Sequence, residues 1–361
     1  MKTNQNKDSF YTKLAFKQAE INLGSTNLNP SVGCVVVKNN SIISSGYTSE
    51  NGRPHAESNA LKKNLDYKNS ELFVTLEPCS HYGKTPPCIK KIISKKIRTV
   101  IFSINDTDIR SKDRAEKILK RKKIIVKKFI LKSFAKNFYK SYFLQSSKQI
   151  PLIDAKLAIS KDNYTINKKK NWITNIKSRN VGNFLRSKYD CLLTTSKTVN
   201  KDNPLFNCRI EGLEKKTPNL VIIDRYFSIN KNIKILKELN RKIYIFTTVN
   251  KHEKENYFKK KGVKIIKFSK NVDSNLSLKK MILSIKNLGY NRIFVEAGST
   301  FLSQLLKNRF VRNLYLFKSS NKLSLNGQNN TSLLQIKKIR ILKKNKINVN
   351  LNGDSLYKVN L

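Results

Sequence analysis

The sequence predicts two consecutive α/β domains, and three observations carry that prediction. Apolar strand-like runs alternate with helical patterns along all 361 residues, the order that builds layered α/β folds. The length suits two domains at about 150 residues each. Periodicity breaks over residues 145–151, which sets the expected domains at 1–147 and 148–361.

Each element follows from local pattern. Leu14, Ala15, Ala19 and Leu23 fall near helical spacing and predict a helix over 10–24. A strand at 32–37, a turn at Asn39-Asn40 and a second strand at 42–46 come next. Pro54 can open a helix reaching residue 63, because proline is tolerated in a first turn. The apolar run 72–76 reads as a strand ending at Glu77-Pro78. A helix from Pro86-Pro87 to residue 95, a strand at 99–104, and a helix then a strand within 111–129 complete the first domain. In the second domain, strands are expected at 152–159, 189–194, 219–224, 242–247 and 291–296. It contains no G-x-G-x-x-G, so a Rossmann dinucleotide fold has no support. Neither half shows an internal repeat.

Lys and Arg number 73 against 24 Asp and Glu, a net charge of +49 at pH 7. Such a charge suggests nucleic acid as a partner. Yet 59 of these cations are Lys and 14 are Arg, whereas phosphate readers lean on the planar Arg fork. Lys, Asn and Ile abound while Gly (12) and Pro (8) are scarce, a composition that an AT-rich genome imposes on any fold. The excess is therefore read as compositional drift, with a basic partner-binding face as the alternative, and no nucleic-acid partner is expected. A hydrophobic content of 39% excludes a disordered polycation. No apolar run reaches 18 residues and no signal peptide is visible, so no membrane association and a cytoplasmic location are expected. Five cysteines in a chain of this length suit cytosolic thiols or metal ligands, not a disulfide scaffold.

The strongest chemical signal is His55-Ala56-Glu57, then Pro78-Cys79, then Cys88. Zinc takes nitrogen and sulfur ligands tetrahedrally, and a catalytic site leaves one position to water. His55, Cys79 and Cys88 supply three ligands. Glu57, two residues beyond His55 at a helix start, is placed to shuttle protons. This is the zinc-deaminase pattern H-x-E…P-C-x-x-C, with eight residues between the cysteines in place of two. A structural zinc would need a fourth protein ligand, for which His81 is the nearby candidate. Cys34 and Cys191 lie in apolar strands and read as core, His252 reads as solvated, and Cys208 has no assigned role.

Beyond the metal ligands, the chain resembles the bifunctional riboflavin-biosynthesis deaminase–reductases. The resemblance rests on Asn29-Pro30-Ser31-Val32-Gly33-Cys34, on Pro54-His55-Ala56-Glu57, and above all on the block from Thr75 through Cys88. It implies a cytidine-deaminase-like three-layer domain in which Asn29, His81 and Lys84 contact the pyrimidine or its ribosyl phosphate. Lys84 as a phosphate clamp also makes electrostatic sense.

The resemblance continues through Lys156-Leu157-Ala158-Ile159-Ser160-Lys161-Asp162, Trp172-Ile173-Thr174, Leu185-Arg186, Thr198 to Pro204, Arg209, and Val295-Glu296-Ala297-Gly298-Ser299-Thr300. It implies a dihydrofolate-reductase-like domain with NADPH lined by Ala158, Trp172, Thr174, Thr198, Asp202, Gly298, Ser299 and Thr300. Lys156, Arg186, Arg209 and Glu296 would hold the ribosyl phosphate. Independently, the strand-to-helix turn at Gly298 offers free N–H groups suited to a phosphate, and paired arginines suit a bidentate grip. Trp172, the sole tryptophan, could equally be a core aromatic. The implied cofactors are one Zn2+ per chain and NADPH, the implied partner is a small ribosyl phosphate, and a homo-oligomer is expected.

Three stretches depart from the family pattern. Ser160-Lys161-Asp162-Asn163-Tyr164 replaces Ser-Leu-Asp-Gly-Arg, residues 105–115 have lost their glycines, and 318–324 replaces Pro-Lys-Leu-Leu-Gly. Two other enzymatic readings therefore stay open: the same deaminase with a weakened or lost reductase, and a tRNA-type nucleic-acid-editing deaminase. A non-catalytic RNA-binding protein is a third, which the even spread of lysine opposes.

Overall fold

The structure is a computed structural model that describes residues 2–62, 64–145, 147, 149–170, 172–237, 240–269, 274–329 and 343–361. The chain divides into two compact units, Met1–Ser147 and Lys148–Leu361. Residues 146 and 148, at the expected boundary, lie outside the described residues.

The first unit is built on β1 (Gly33–Lys38), β2 (Ser41–Tyr47), β3 (Glu71–Val74), β4 (Thr99–Phe102) and β5 (Ile125–Lys128). Their order is β2-β1-β3-β4-β5, with β1 antiparallel to both neighbours and β3, β4 and β5 parallel. Among the described residues six α-helices accompany them: α1 (Lys2–Ile21), α2 (Ala56–Ala60), α3 (Cys88–Ser94), α4 (Ala115–Arg121), α5 (Lys132–Phe138) and α6 (Lys140–Gln145). β1 is apolar on both faces, and successive residues point opposite ways. Val35 and Val37 pack with Tyr11 and Ala15 of α1, while Cys34 and Val36 pack with Ala56 and Ala60 of α2 and Ile89 and Ile92 of α3. That is the three-layer arrangement the resemblance implies. Asn39 and Asn40 both take positive φ, 50° and 61°, in the β1–β2 turn, where asparagine tolerates the left-handed region.

The second unit carries β6 (Leu152–Ile159), β8 (Cys191–Thr195), β9 (Asn219–Ile223), β10 (Ile243–Thr247), β11 (Lys264–Lys267), β12 (Arg292–Val295), β13 (Asn313–Lys318), β15 (Lys344–Ile347) and β16 (Ser355–Asn360) in one sheet. The order is β11-β10-β9-β8-β12-β6-β13-β16-β15, parallel from β11 through β13 and antiparallel at the β16 edge. A small pair, β7 (Ile166–Asn167) with β14 (Gly327–Gln328), stands apart. Helices α7 (Ile176–Arg186), α8 (Ser196–Asp202), α9 (His252–Lys260), α10 (Ser274–Asn287) and α11 (Ser299–Lys307) connect the strands. One face buries Ile153, Leu193 and Val295 against Ile282 of α10 and Leu302 of α11; the other buries Leu192, Leu220 and Ile245 against Phe258 of α9.

Several element expectations need correction. The first helix begins at Lys2, eight residues before residue 10, and stops at Ile21. The helix expected from Pro54 to residue 63 is only five residues long, since it starts at Ala56 and the chain turns at Leu61; residue 63 itself is not among the described residues. Cys34 and Cys191 are fully buried as expected, and His252 is exposed. Among the described residues, no helix is long and apolar enough to cross a membrane.

Candidate active sites

In the first unit, α2 lies directly on β2. A Cβ on Gly46 would fall 2.4 Å from the Ala60 nitrogen and 2.5 Å from the Ala56 oxygen. No side chain separates helix from strand there. The N-cap of this short helix is His55, and Glu57 follows in its first turn. Cys88 opens α3, and its N–H donates to Cys79 Sγ at 3.2 Å. His55 Nδ1 stands 3.6 Å from Cys79 Sγ and 3.4 Å from Cys88 Sγ, and the three ligand atoms lie within 4.8 Å of one another. Tetrahedral bonds of about 2.05 Å to nitrogen and 2.3 Å to sulfur would separate such ligands by about 3.6 Å. The donor set and its spacing therefore fit zinc. No fourth protein ligand joins the group among the described residues.

The electrostatics match that chemistry. Burial, then the neighbouring Cys79 sulfur, pushes the Glu57 carboxyl up to about 7. A hydrogen bond from Cys88, aided by His55, holds the Cys79 thiol down at about 4, and the Cys88 thiol is driven upward by that same sulfur and by burial. A divalent cation binds thiolates and displaces their protons.

The expected substrate residues of this unit have different surroundings. Asn29 packs its amide against Gly52, whose φ of +87° and missing Cβ leave 2.2 Å from the hypothetical carbon to Asn29 Nδ2. Lys84 is exposed on the insert between the cysteines. His81 is turned away from metal ligation: its Nδ1 is 2.8 Å from Ser111 Oγ. Arg53, which sequence reasoning missed, donates from Nη1 to Thr85 Oγ1 at 2.6 Å and lies near Gly83, so it braces the insert. Its only sequence signal was adjacency to Pro54-His55.

In the second unit, the sheet register assembles the site. Val295 pairs with Ala155, so Glu296 falls beside Lys156, and their charges are 4.0 Å apart. Arg186 grips Glu296 through Nε and, at 2.9 Å, through Nη2, while its Nη1 donates to Asn183 Oδ1 and Asn207 O. Most guanidinium donors are thus committed inside the protein, where the sequence suggested a free grip on phosphate. Burial alone would raise the Glu296 carboxyl, but Arg186 outweighs it and holds it below the usual range. Burial lowers the Lys156 ammonium, with Glu296 opposing.

Thr194 Oγ1 donates to Glu296 O at 2.7 Å, and Gly298 N donates to Thr198 Oγ1 at 3.3 Å. Gly298 is the N-cap of α11, which begins at Ser299 and Thr300 as the sequence suggested. Strand ends at β8 and β12 therefore meet where open α/β sheets place ligands. Asp202 ends α8 and is exposed, near enough for its charge to act on Lys156. Arg209 is exposed but acts on Glu296. Ala158 is half-buried in β6 opposite Phe317, and Thr174 is buried with its carbonyl bonded to Arg179. Trp172 is 58% exposed under the Arg179 guanidinium, 4.8 Å from the ring centre, so it is not a core aromatic. Two of the three departed segments hold each other: Asp162 accepts the N–H groups of Leu323 and Ser324.

Comparison with known proteins gives this geometry its place. Residues 5–104 match the cytidine and deoxycytidylate deaminase zinc-binding region, and residues 151–323 match the RibD C-terminal domain. The riboflavin biosynthesis protein RibD of Aquifex aeolicus is 31% identical over 313 residues, covering 86% of each chain; that of Buchnera aphidicola is 32% identical over 327 residues, again covering 86% of each. The chain belongs to the RibD family. RibD proteins are deaminases and reductases of riboflavin biosynthesis, so this chain is a zinc-dependent hydrolase and an NADPH-dependent oxidoreductase. A solved diaminohydroxyphosphoribosylaminopyrimidine deaminase/5-amino-6-(5-phosphoribosylamino)uracil reductase from Thermotoga maritima superposes with a TM-score of 0.82 at 26% identity, covering 99% of both chains. RibD of Acinetobacter baumannii has the same TM-score at 24% identity and shares the fold. With the two family models matching successive parts of the chain, the second unit has the RibD reductase fold, of the dihydrofolate-reductase-like kind.

Proposed function

We propose that residues 1–147 deaminate a diaminopyrimidinone ribosyl phosphate and that residues 148–361 then reduce its ribosyl side chain to ribityl. The observation that carries this is the buried Glu57 beside the His55–Cys79–Cys88 group, with the eight-residue insert Ser80 to Pro87 between the two cysteines.

In the first step His55, Cys79 and Cys88 would hold the zinc, which would supply a water acidified to near neutrality. The Glu57 carboxylate would take one proton of the attacking water and return it to the departing amine, so that ammonia leaves; the second water proton passes from the new hydroxyl to a ring nitrogen, leaving a ring carbonyl. Asn29 and His81 orient the ring, and Lys84 meets the phosphate.

In the second step NADPH would supply the hydride, which goes to C1′ of the sugar as the bond from C1′ to the ring oxygen breaks and that oxygen takes a proton from solvent. Ala158, Trp172, Thr174, Thr198, Asp202 and the turn Gly298-Ser299-Thr300 line its place. Lys156 and Glu296 face the sugar, Arg209 meets the phosphate, and Arg186 holds Glu296 while keeping part of its guanidinium for substrate. We expect the chain to work as a homo-oligomer in the cytoplasm, without nucleic acid as a partner.

The deciding experiment is a coupled assay on the full chain with zinc. Diaminopyrimidinone ribosyl phosphate should release ammonia, and NADPH should then be oxidised. Equal, slow ammonia release by wild type and Glu57→Ala would overturn the first assignment. Ammonia release with no NADPH oxidation would overturn the second.

A further inference from the structure

We propose that Ser111 is a positioning residue of the deaminase site, fixing the His81 imidazole so that its Nε2–H is the group offered to substrate. The inference rests on reading the first unit as the deaminase with His81 at its substrate.

Ser111 lies in the 105–114 loop, far in sequence from the cysteine insert, and its side chain is fully buried. Its Oγ accepts the Ser80 N–H at 3.2 Å and lies 2.8 Å from His81 Nδ1. Apart from His81 Nδ1, the described residues offer its hydroxyl proton no acceptor. A buried hydroxyl proton without an acceptor is costly, so the O–H donates to Nδ1. That leaves Nδ1 bare, and a neutral imidazole with bare Nδ1 carries its proton on Nε2. Nε2 faces the insert, 4.0 Å from where a Gly83 Cβ would stand, and no protein partner takes it among the described residues. An N–H donor there suits an oxygen or nitrogen acceptor on a pyrimidine.

A second observation explains why the loop can deliver Ser111. The Glu77 carboxylate, one residue before Pro78-Cys79, accepts the N–H groups of Asp106 (3.0 Å), Asp113 (3.1 Å) and Ala115 (3.1 Å). Asp113 holds a φ of 60° without being glycine. The clasp keeps the loop curved where the family's glycines are lost, and it ties that loop to the residues that bring Cys79 and His81.

The test uses the full zinc-loaded chain. Its histidines are His55, His81 and His252, so nitrogen-15 imidazole spectra of wild type and His81→Gln identify the His81 signals. Wild type should show the Nε2–H form alone. Ser111→Ala should show a mixture of both forms, with unchanged zinc content and ammonia release reduced about 10-fold in kcat/KM, the loss of one hydrogen bond of about 1.4 kcal/mol. Ser111→Thr, which keeps the hydroxyl, should restore the single form and most of the activity. An Nδ1–H form in wild type, or the same spectrum and activity in Ser111→Ala, would overturn the proposal, and the wild-type spectrum decides even if Ser111→Ala does not fold. A fixed Nε2–H form with no ammonia release from wild type would instead overturn the deaminase reading.

Discussion

Gly46 lies so close to Ala60 that a methyl group on it would stand 2.4 Å from the Ala60 amide nitrogen. That contact seats α2, and α2 carries His55 and Glu57. Gly46→Ala should push the helix away from β2 and spread the metal ligands. Overpacking of this kind costs about 1–3 kcal/mol. We expect a lower unfolding temperature and a zinc content below one per chain, measured together. Full zinc occupancy in a folded Gly46→Ala would contradict this account of how the helix is seated.

Metal removal should separate the two activities. Chelation empties the His55–Cys79–Cys88 group and should abolish ammonia release. NADPH oxidation with the deaminated intermediate should persist, because Lys156, Arg186 and Glu296 lie in the other unit. Loss of both activities on chelation, with both restored by zinc, would show that the assignment of activities to units is wrong.

Arg186→Lys keeps the charge and removes the fork that grips both Glu296 oxygens and Asn183. Lysine is a point charge and cannot replace that geometry. NADPH oxidation should fall about 10- to 100-fold, reflecting about 1.5–3 kcal/mol for hydrogen bonds to a charged group, while ammonia release is unchanged. Equal reductase rates in wild type and Arg186→Lys would remove Arg186 from the positioning of Glu296.

Asp162 predicts an acid-sensitive second unit. Burial pushes its carboxyl up, but hydrogen bonds from Ser160 Oγ and from the N–H groups of Leu323 and Ser324 outweigh that and hold it down at about 2. The folded value lies below the ordinary 3.8, so the stability it contributes is complete above about pH 5 and disappears as pH falls toward 2. Thermal unfolding followed from pH 5 to pH 2 should show this loss in wild type and a shallower slope in Asp162→Asn. Parallel slopes would mean that Asp162 does not hold the 323–324 segment.

Much of this was legible in the sequence because the signals were local. β6 runs over the residues expected, since its apolar run is bounded by Pro151 and by the polar stretch after Ile159. The zinc group was legible because its residue types and spacing leave few alternatives. What escaped depended on distant pairing. α5 and α6 dock through Tyr139, whose hydroxyl meets Thr75 and Ser31 from across the unit. β13 and β16 gain their identity by pairing with each other and with β6 and β15 on either side. Arg186 looked like a free phosphate ligand because nothing in its neighbourhood announces Glu296, 110 residues away.

The Glu77 clasp also says something about how far such a lysine-rich chain can change. Three amide hydrogens converge on one carboxylate, and an ammonium placed there would add donors to donors with no acceptor in reach. Asp224 receives the Ser228 and Ile229 amides in the same manner, and Asp190 those of Asn291 and Arg292. A lysine at an exposed position meets water, whereas at these carboxylates it would leave backbone N–H groups without an acceptor. Glu77, Asp190 and Asp224, acids amid 73 cations, mark places where the backbone itself demands an oxygen.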